Sequence, residues 1–163
     1  SVDPQKRPVT FVCCQNHYEN DIVTRTMDVV CLNRYYGWYN LSGDLEAASY
    51  ALNMELDFWE KIGKPVMMTE YGADAIPGVH NCVPEMFSEE YQMDYYKMHS
   101  DAFDKRAFFS GEQVWHFEDF ATIQGCMRAD GNKKGLLTSD RRPKLAAHYF
   151  RKRWGEISNF GYK

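Results

Sequence analysis

The stretch KPVMMTEYGAD, Lys64–Asp74, decides how the rest of the chain is read. Val66-Met67-Met68 is an apolar run that reads as a strand, and Thr69-Glu70-Tyr71-Gly72 closes it with a carboxylate, a ring and a glycine. An unpaired carboxylate inside an apolar layer is costly, so a charge at the end of a buried strand marks a place where the core stops. The glycine two residues on lets backbone or ligand approach closely. Just upstream, Gly63-Lys64-Pro65 has the glycine-then-proline order of a helix end.

Working outward, three further runs read as strands: Val9–Cys13, Met27–Asn33 and Gln113–Phe117, beside Val66–Glu70. Near-continuous apolar strands suit a parallel sheet covered on both faces. Helical patterns lie between them. One spans Asp44–Ile62 after the turn Ser42-Gly43. A second opens at Ser88, with Glu89 and Glu90 in its first turn, and runs to about Ala107. A third spans Arg142–Trp154 with Pro143 near its start. The connection Gln15–Arg25 has room for a turn of helix at most. The order is that of an α/β fold with parallel strands. The long polar loops Ala73–Phe87 and Glu118–Arg141 both follow strands, where barrels of this type build their sites. Four βα units make half of an eight-stranded barrel, so residues 1–163 are expected to be one C-terminal portion that folds against strands supplied from outside this chain.

The bulk numbers agree with a globular chain of one domain: 163 residues, 44% hydrophobic and 26% charged. A net charge of −4 gives no reason to expect nucleic acid or an anionic membrane as partner. No apolar stretch is long enough to span a bilayer. The five cysteines, Cys13, Cys14, Cys31, Cys82 and Cys126, and the five histidines lack metal-binding spacing, and nothing calls for a cofactor. Asn40-Leu41-Ser42 is a glycosylation sequon that leaves the compartment open. Aromatic residues make up 15% of the chain, enough for both a core and a pocket of flat faces.

Three stretches carry candidate chemistry. Glu70 reads as a nucleophile or proton donor, or as a salt-bridged strand end. Asn33-Arg34-Tyr35-Tyr36-Gly37-Trp38-Tyr39 ends a strand and reads as a sugar-stacking rim, or as packing between sheet and helix. Arg128–Gly135, with Asn132, Lys133 and Lys134 between glycines, reads as an anion site or as a solvated loop. Trp115, in the Trp115-His116-Phe117 strand end, reads as a pocket floor or as a packed tryptophan, and His80, on the loop after Glu70, reads as a residue near that site or as an exposed loop histidine. Glu112 reads as the start of the last strand, at the end of the barrel away from the site.

LNRYYGWY (Leu32–Tyr39), SGDLE (Ser42–Glu46), TEYGAD (Thr69–Asp74), FSEEYQ (Phe87–Gln92), GEQVWHFEDF (Gly111–Phe120) and GNKKGLLTSDRRPKLAA (Gly131–Ala147) carry a resemblance that runs in order through the whole chain. Together they resemble the C-terminal half, strands five to eight, of the TIM barrel of the β-glucuronidases in glycoside hydrolase family 2. The resemblance implies a retaining hydrolase of β-D-glucuronides with no cofactor and a tendency to form homotetramers. It matches Glu70 to the nucleophile and Tyr35 to the tyrosine that hydrogen-bonds it. Asn132 and Lys134 match the pair that binds the uronic carboxylate. Arg128 and Tyr39 match residues assisting at the same end of the sugar, and Trp115 matches a pocket-lining tryptophan. The family's acid/base glutamate follows an asparagine on the fourth strand. No Asn-Glu dipeptide occurs here, and Glu19-Asn20 has the reverse order, so the N-terminal part of the enzyme is expected to supply it. On this reading, Lys134→Ala should cost glucuronide hydrolysis tenfold or more and barely touch the fold. A non-catalytic sugar-binding half-barrel and a related galactosidase or mannosidase are the alternatives. The latter has no need of the Asn132–Lys134 loop.

Overall fold

The computed structural model describes residues 3–157. Four parallel strands form one sheet in the order β1-β2-β3-β4: β1 Val12–Cys13, β2 Val30–Asn33, β3 Val66–Glu70 and β4 Phe109–Glu112. Helix α1, Leu45–Ile62, connects β2 to β3, and α2, Glu89–Phe103, connects β3 to β4. Helix α3, Leu145–Glu156, follows β4. Two short 3-10 turns, Tyr18–Asn20 and Thr24–Thr26, fill the connection from β1 to β2. Each strand lies beside its predecessor with no reversal of order, which is how a barrel wall grows and an open doubly wound sheet does not. The chain forms two compact units, Ser1–Gly72 with Lys97–Trp115, and Ala73–Tyr96 with His116–Lys163.

The first unit holds the sheet and α1. Asp44 caps α1 by accepting from the Ala47 amide at 2.9 Å, and Gly63 ends it in the left-handed region at φ +73°. Ala48, Leu52, Leu56 and Trp59 form its buried stripe at helical spacing, and Glu55 lies within that stripe. The charge is answered. Arg34, just past β2, donates from Nε to Glu55 Oε2 at 2.8 Å and from Nη2 to Oε1 at 2.7 Å. Tyr36 Oη and Trp59 Nε1 also donate to Glu55, each at 2.9 Å. Arg34 Nη1 reaches the carbonyls of Cys13 and Asn33, each at 2.9 Å. Burial alone lowers the Arg34 pKa, but the Glu55 bonds outweigh it and the net direction is up. The network ties β1, the end of β2 and α1 together without leaving a carboxylate oxygen bare.

Two bulges interrupt the ladder. Leu32 faces Met68 and Asn33 faces Glu70, so Thr69 is an extra residue in β3. Val66 faces Phe109 and Met67 faces Gly111, so Ser110 is extra in β4. Both extra residues carry hydroxyls that donate to the adjacent strand: Thr69 Oγ1 to Leu32 O at 3.1 Å, and Ser110 Oγ to Val66 O at 3.0 Å.

The second unit holds α3 and the two long loops. Ser88 Oγ accepts from the Tyr91 amide at 3.1 Å and caps α2, as the serine and its following acids predict. Lys144 Nζ is buried on Asp119 Oδ1 at 2.9 Å and on the carbonyls of Ala75 and Lys133 at 3.0 and 2.8 Å. Tyr96 and Phe150 meet edge to face with ring centres 4.8 Å apart.

Several sequence boundaries shift. The last strand is Phe109–Glu112, not Gln113–Phe117. The apolar run after Glu112 instead follows the strand's end, with the Gln113 and Trp115 amides bound to Met68 O and Tyr71 O. Glu112 therefore ends β4 rather than beginning it, and lies at the same edge of the parallel sheet as Glu70. The first strand is two residues long because Val9 N and Thr10 Oγ1 bind Asp28 Oδ2 and Val29 O outside the regular ladder. The second strand starts at Val30, after the 3-10 turn at Thr24–Thr26. Helix α2 stops at Phe103, where the Arg106 amide turns back onto Phe103 O and its guanidinium reaches Asn53, Asp57 and Glu60. Helix α3 starts at Leu145, since Lys144 is extended and its amide donates to Leu136 O at 3.0 Å. Among the described residues no helix is long and apolar enough to cross a membrane, and no group of three His, Cys, Asp or Glu could hold a metal ion.

Candidate active site

In the first unit the C-terminal ends of β2 and β3 bring Tyr35 and Glu70 together. Tyr35 Oη donates to Glu70 Oε2 at 2.9 Å. The Arg34 amide donates to Glu70 O at 2.8 Å. Thr69 Oγ1, one residue before the carboxylate, lies 2.8 Å from Asn33 Oδ1. Residues 32–35 thus hold Glu70 by its carboxylate, its carbonyl and its neighbour's hydroxyl. Tyr39 packs on Tyr35 with ring centres 4.9 Å apart and is 42% exposed, so an aromatic face stands open beside the pair. Trp115 is half-buried and its amide donates to Tyr71 O at 2.9 Å. Tyr71 Oη donates to Glu112 Oε2 at 2.9 Å, which places a second carboxylate at this edge of the sheet. The sequence reading missed Glu112 at this edge because it started the strand too late.

In the second unit the loop Gly131–Gly135 is strapped on both sides. Asn132 bridges Phe120 in antiparallel fashion, and the Ala75 amide donates to Lys133 O at 2.9 Å. Its flanking glycines have a steric reason. A Cβ on Gly131, at φ +93°, would lie 2.6 Å from Phe120 O. A Cβ on Gly135 would lie 2.3 Å from the Asp119 amide nitrogen and 2.4 Å from Leu137 O. No side chain fits there.

This clamping buries the residues between. Lys134 is 0% exposed and its ammonium pairs with Asp74, also 0% exposed. Asp74 Oδ2 also accepts from the Lys133 amide at 3.1 Å. Asn132 is 4% exposed. Its Oδ1 accepts from the Lys134 amide at 3.1 Å and lies 3.2 Å from His116 Nε2. An amide oxygen held by two donors leaves Nδ2, itself a donor, as the end open to a ligand. Burial pushes the His116 imidazole below its ordinary pKa, against the Asn132 bond and the Asp119 charge, and the Lys134 and Lys144 charges reinforce the fall. His116 fits no metal pattern, and nothing local ties it to Asn132. Its link to Asn132 is sixteen residues long and needs the folded loop.

Arg128 is half-buried, and its Nη1 donates to Met127 O at 3.0 Å. Together with Lys133, Asp119, Asp130 and Ser139 it lines a cavity of about 690 Å³. His80 is exposed, its Nδ1 lies 2.7 Å from Glu90 Oε1, and that hydrogen bond pushes its pKa up. From its loop it pairs with the first turn of α2 rather than with either cluster. Of the seven expected site residues, Glu70, Tyr35, Tyr39 and Trp115 fall in the first unit. Asn132, Lys134 and Arg128 fall in the second. The expectation that Lys134→Ala spares the fold is revised by its burial, because the variant strands the Asp74 carboxylate in the interior.

The family described as glycosyl hydrolases family 2, TIM barrel domain, matches residues 2–159. The chain is 47% identical to the β-glucuronidase of Paenibacillus borealis over 163 residues, 99% of this chain and 27% of that protein. Among solved structures it is similar to Bifidobacterium dentium β-glucuronidase complexed with coumarin-3-O-glucuronide. The TM-score is 0.93 at 66% identity, over 99% of this chain and 26% of that one. The Faecalibacterium prausnitzii β-glucuronidase gives a TM-score of 0.93 at 64% identity, over 98% of this chain and 27% of that one. The chain spans about a quarter of the length of the relatives it matches.

Proposed function

Because the chain belongs to glycosyl hydrolases family 2, we propose that it is the C-terminal portion of a TIM-barrel catalytic domain that hydrolyses β-D-glucuronides with retention. The observation that carries this reading is the Tyr35–Glu70 hydrogen bond of 2.9 Å at the C-terminal ends of two parallel strands. That edge is where barrel enzymes work, and a carboxylate held by a phenol there is ready to attack.

Glu70 attacks the anomeric carbon and expels the aglycone oxygen, giving a glycosyl-enzyme ester. Tyr35 holds one carboxylate oxygen and so fixes the rotation of the other. A retaining enzyme needs a second carboxyl group about 5–5.5 Å from the first, to protonate the leaving oxygen and then to activate water. That residue comes from barrel strands outside residues 1–163, and the same strands cover the open edge of β1. Recognition of the uronate falls to Asn132 and Lys134, with Arg128 and Tyr39 assisting and Trp115 lining the pocket. Asn132 offers Nδ2–H and Lys134 an ammonium already drawn to Asp74, and both suit a carboxylate. A hydroxymethyl sugar gains no charge-assisted bond there, which is the physical basis for preferring a glucuronide.

The test is trapping. The polypeptide carrying the whole barrel is incubated with 2-deoxy-2-fluoro-glucuronyl fluoride, and the labelled peptide is mapped by mass spectrometry. A label on Glu70 is expected. A label on another carboxylate, or none in a sample that turns over a glucuronide, overturns the assignment.

A further inference from the structure

The bulge in β3 bears on how Glu70 comes to face its partner. Side chains alternate faces along a strand. Val66 and Met68 are both 0% exposed on one face, so strict alternation sends the Glu70 carboxylate into that apolar layer. The extra residue resets the phase. Thr69 and Glu70 together oppose the single step from Leu32 to Asn33. Bulges are known to re-aim a side chain in this way beside functional sites.

The bulge is clamped by one hydroxyl. Thr69 Oγ1 lies 3.1 Å from Leu32 O and 2.8 Å from Asn33 Oδ1, so its proton is held against the same segment that presents Tyr35. We propose that Thr69 is a positioning residue: its hydroxyl locks the β3 bulge that turns the Glu70 carboxylate from the apolar face onto Tyr35 Oη. This rests on the reading of Glu70 as nucleophile. In this role Thr69 acts through Glu70 rather than on the substrate. Valine has threonine's shape without the hydroxyl, and serine keeps the hydroxyl without the methyl, so the pair separates the clamp from packing.

The experiment compares wild type, Thr69→Val and Thr69→Ser in the polypeptide carrying the whole barrel. The first readout is a crystal structure of Thr69→Val. The Tyr35 Oη–Glu70 contact is expected to open beyond hydrogen-bond distance, and its retention in the variant overturns the proposal whether or not the protein is a glucuronidase. The second readout is hydrolysis of p-nitrophenyl β-D-glucuronide. Thr69→Val is expected to lower kcat about tenfold or more, since small misplacements of a reacting group cost that much. KM should stay within about twofold and Thr69→Ser within about threefold of wild-type kcat. The melting temperature should fall by only a few degrees, since the bulge loses one hydroxyl contact and no packing. A wild-type kcat in Thr69→Val, or an equal loss in Thr69→Ser, overturns the proposal. A wild type inactive on the glucuronide, with the contact opened in Thr69→Val, sinks the proposed activity and leaves the clamp standing.

Discussion

Tyr35 Oη and Glu70 Oε2 lie 2.9 Å apart, joined across two neighbouring parallel strands by residues thirty-five positions apart in the chain. A hydrogen bond to a carboxylate contributes about 1.5–3 kcal/mol. Tyr35→Phe is therefore expected to lower kcat/KM on a glucuronide by about tenfold to a hundredfold. The ring stays against Tyr39, so the melting temperature should fall by only a few degrees. Steady-state kinetics with a thermal melt checks both halves, and an unchanged kcat/KM removes Tyr35 from the mechanism.

Lys134 and Asp74 form a wholly buried ion pair. Removing one partner of such a pair costs about 3–5 kcal/mol, because the other charge is left in the interior. Lys134→Ala should shift urea unfolding by an amount of that order. Replacing both partners, Lys134→Met with Asp74→Asn, should recover part of the stability and none of the activity. Recovery of hydrolysis in the double variant would show that the ammonium is needed only for the fold.

Gly135 sits where an added Cβ meets the Asp119 amide at 2.3 Å, while nothing lies within 4 Å of a Cβ on Gly125. Gly135→Ala should displace the Asn132–Lys134 loop and raise its susceptibility to limited proteolysis. Gly125→Ala should be neutral in the same assay. Equal behaviour of the two variants would mean the loop yields more easily than its backbone contacts imply.

His116 is held below its ordinary imidazole pKa, chiefly by burial. The unfolded chain binds the proton first as pH falls. The stability contributed by neutral His116 is thus complete above the ordinary value of about 6.5 and is lost as pH falls through the lower folded value. Urea unfolding at pH 7.5 and 5.5 is expected to fall more steeply in wild type than in His116→Gln. An NMR titration of the ring that gives a folded pKa above the ordinary value would reverse the sign.

Much of this was legible because it is local. Asp44 before Leu45 and Gly63 before Pro65 bound α1 to the residue, and Ser88 opens α2, since a cap is a contact between residues three or four apart. The ends of β2 and β3 were readable from apolar runs closed by Asn33 and Glu70. The last strand was not. Gln113–Phe117 is the more apolar run, yet Phe109–Glu112 pairs with β3, because hydrogen bonding to Val66–Met68 and the small Ser110-Gly111 step outweigh side-chain preference. Glu112 therefore ends β4, beside Met68, rather than opening it.

The α/β order, the family and the residue types proposed for sugar recognition are all readable from the residues alone. Which charges pair with each other inside the fold depends on packing between distant segments. Lys134 and Asp74 are sixty residues apart, and Arg34 and Glu55 twenty-one, so no short-range pattern announces either pair. A charge loses its hydration when packing closes over it, and it must then find a partner wherever the chain returns.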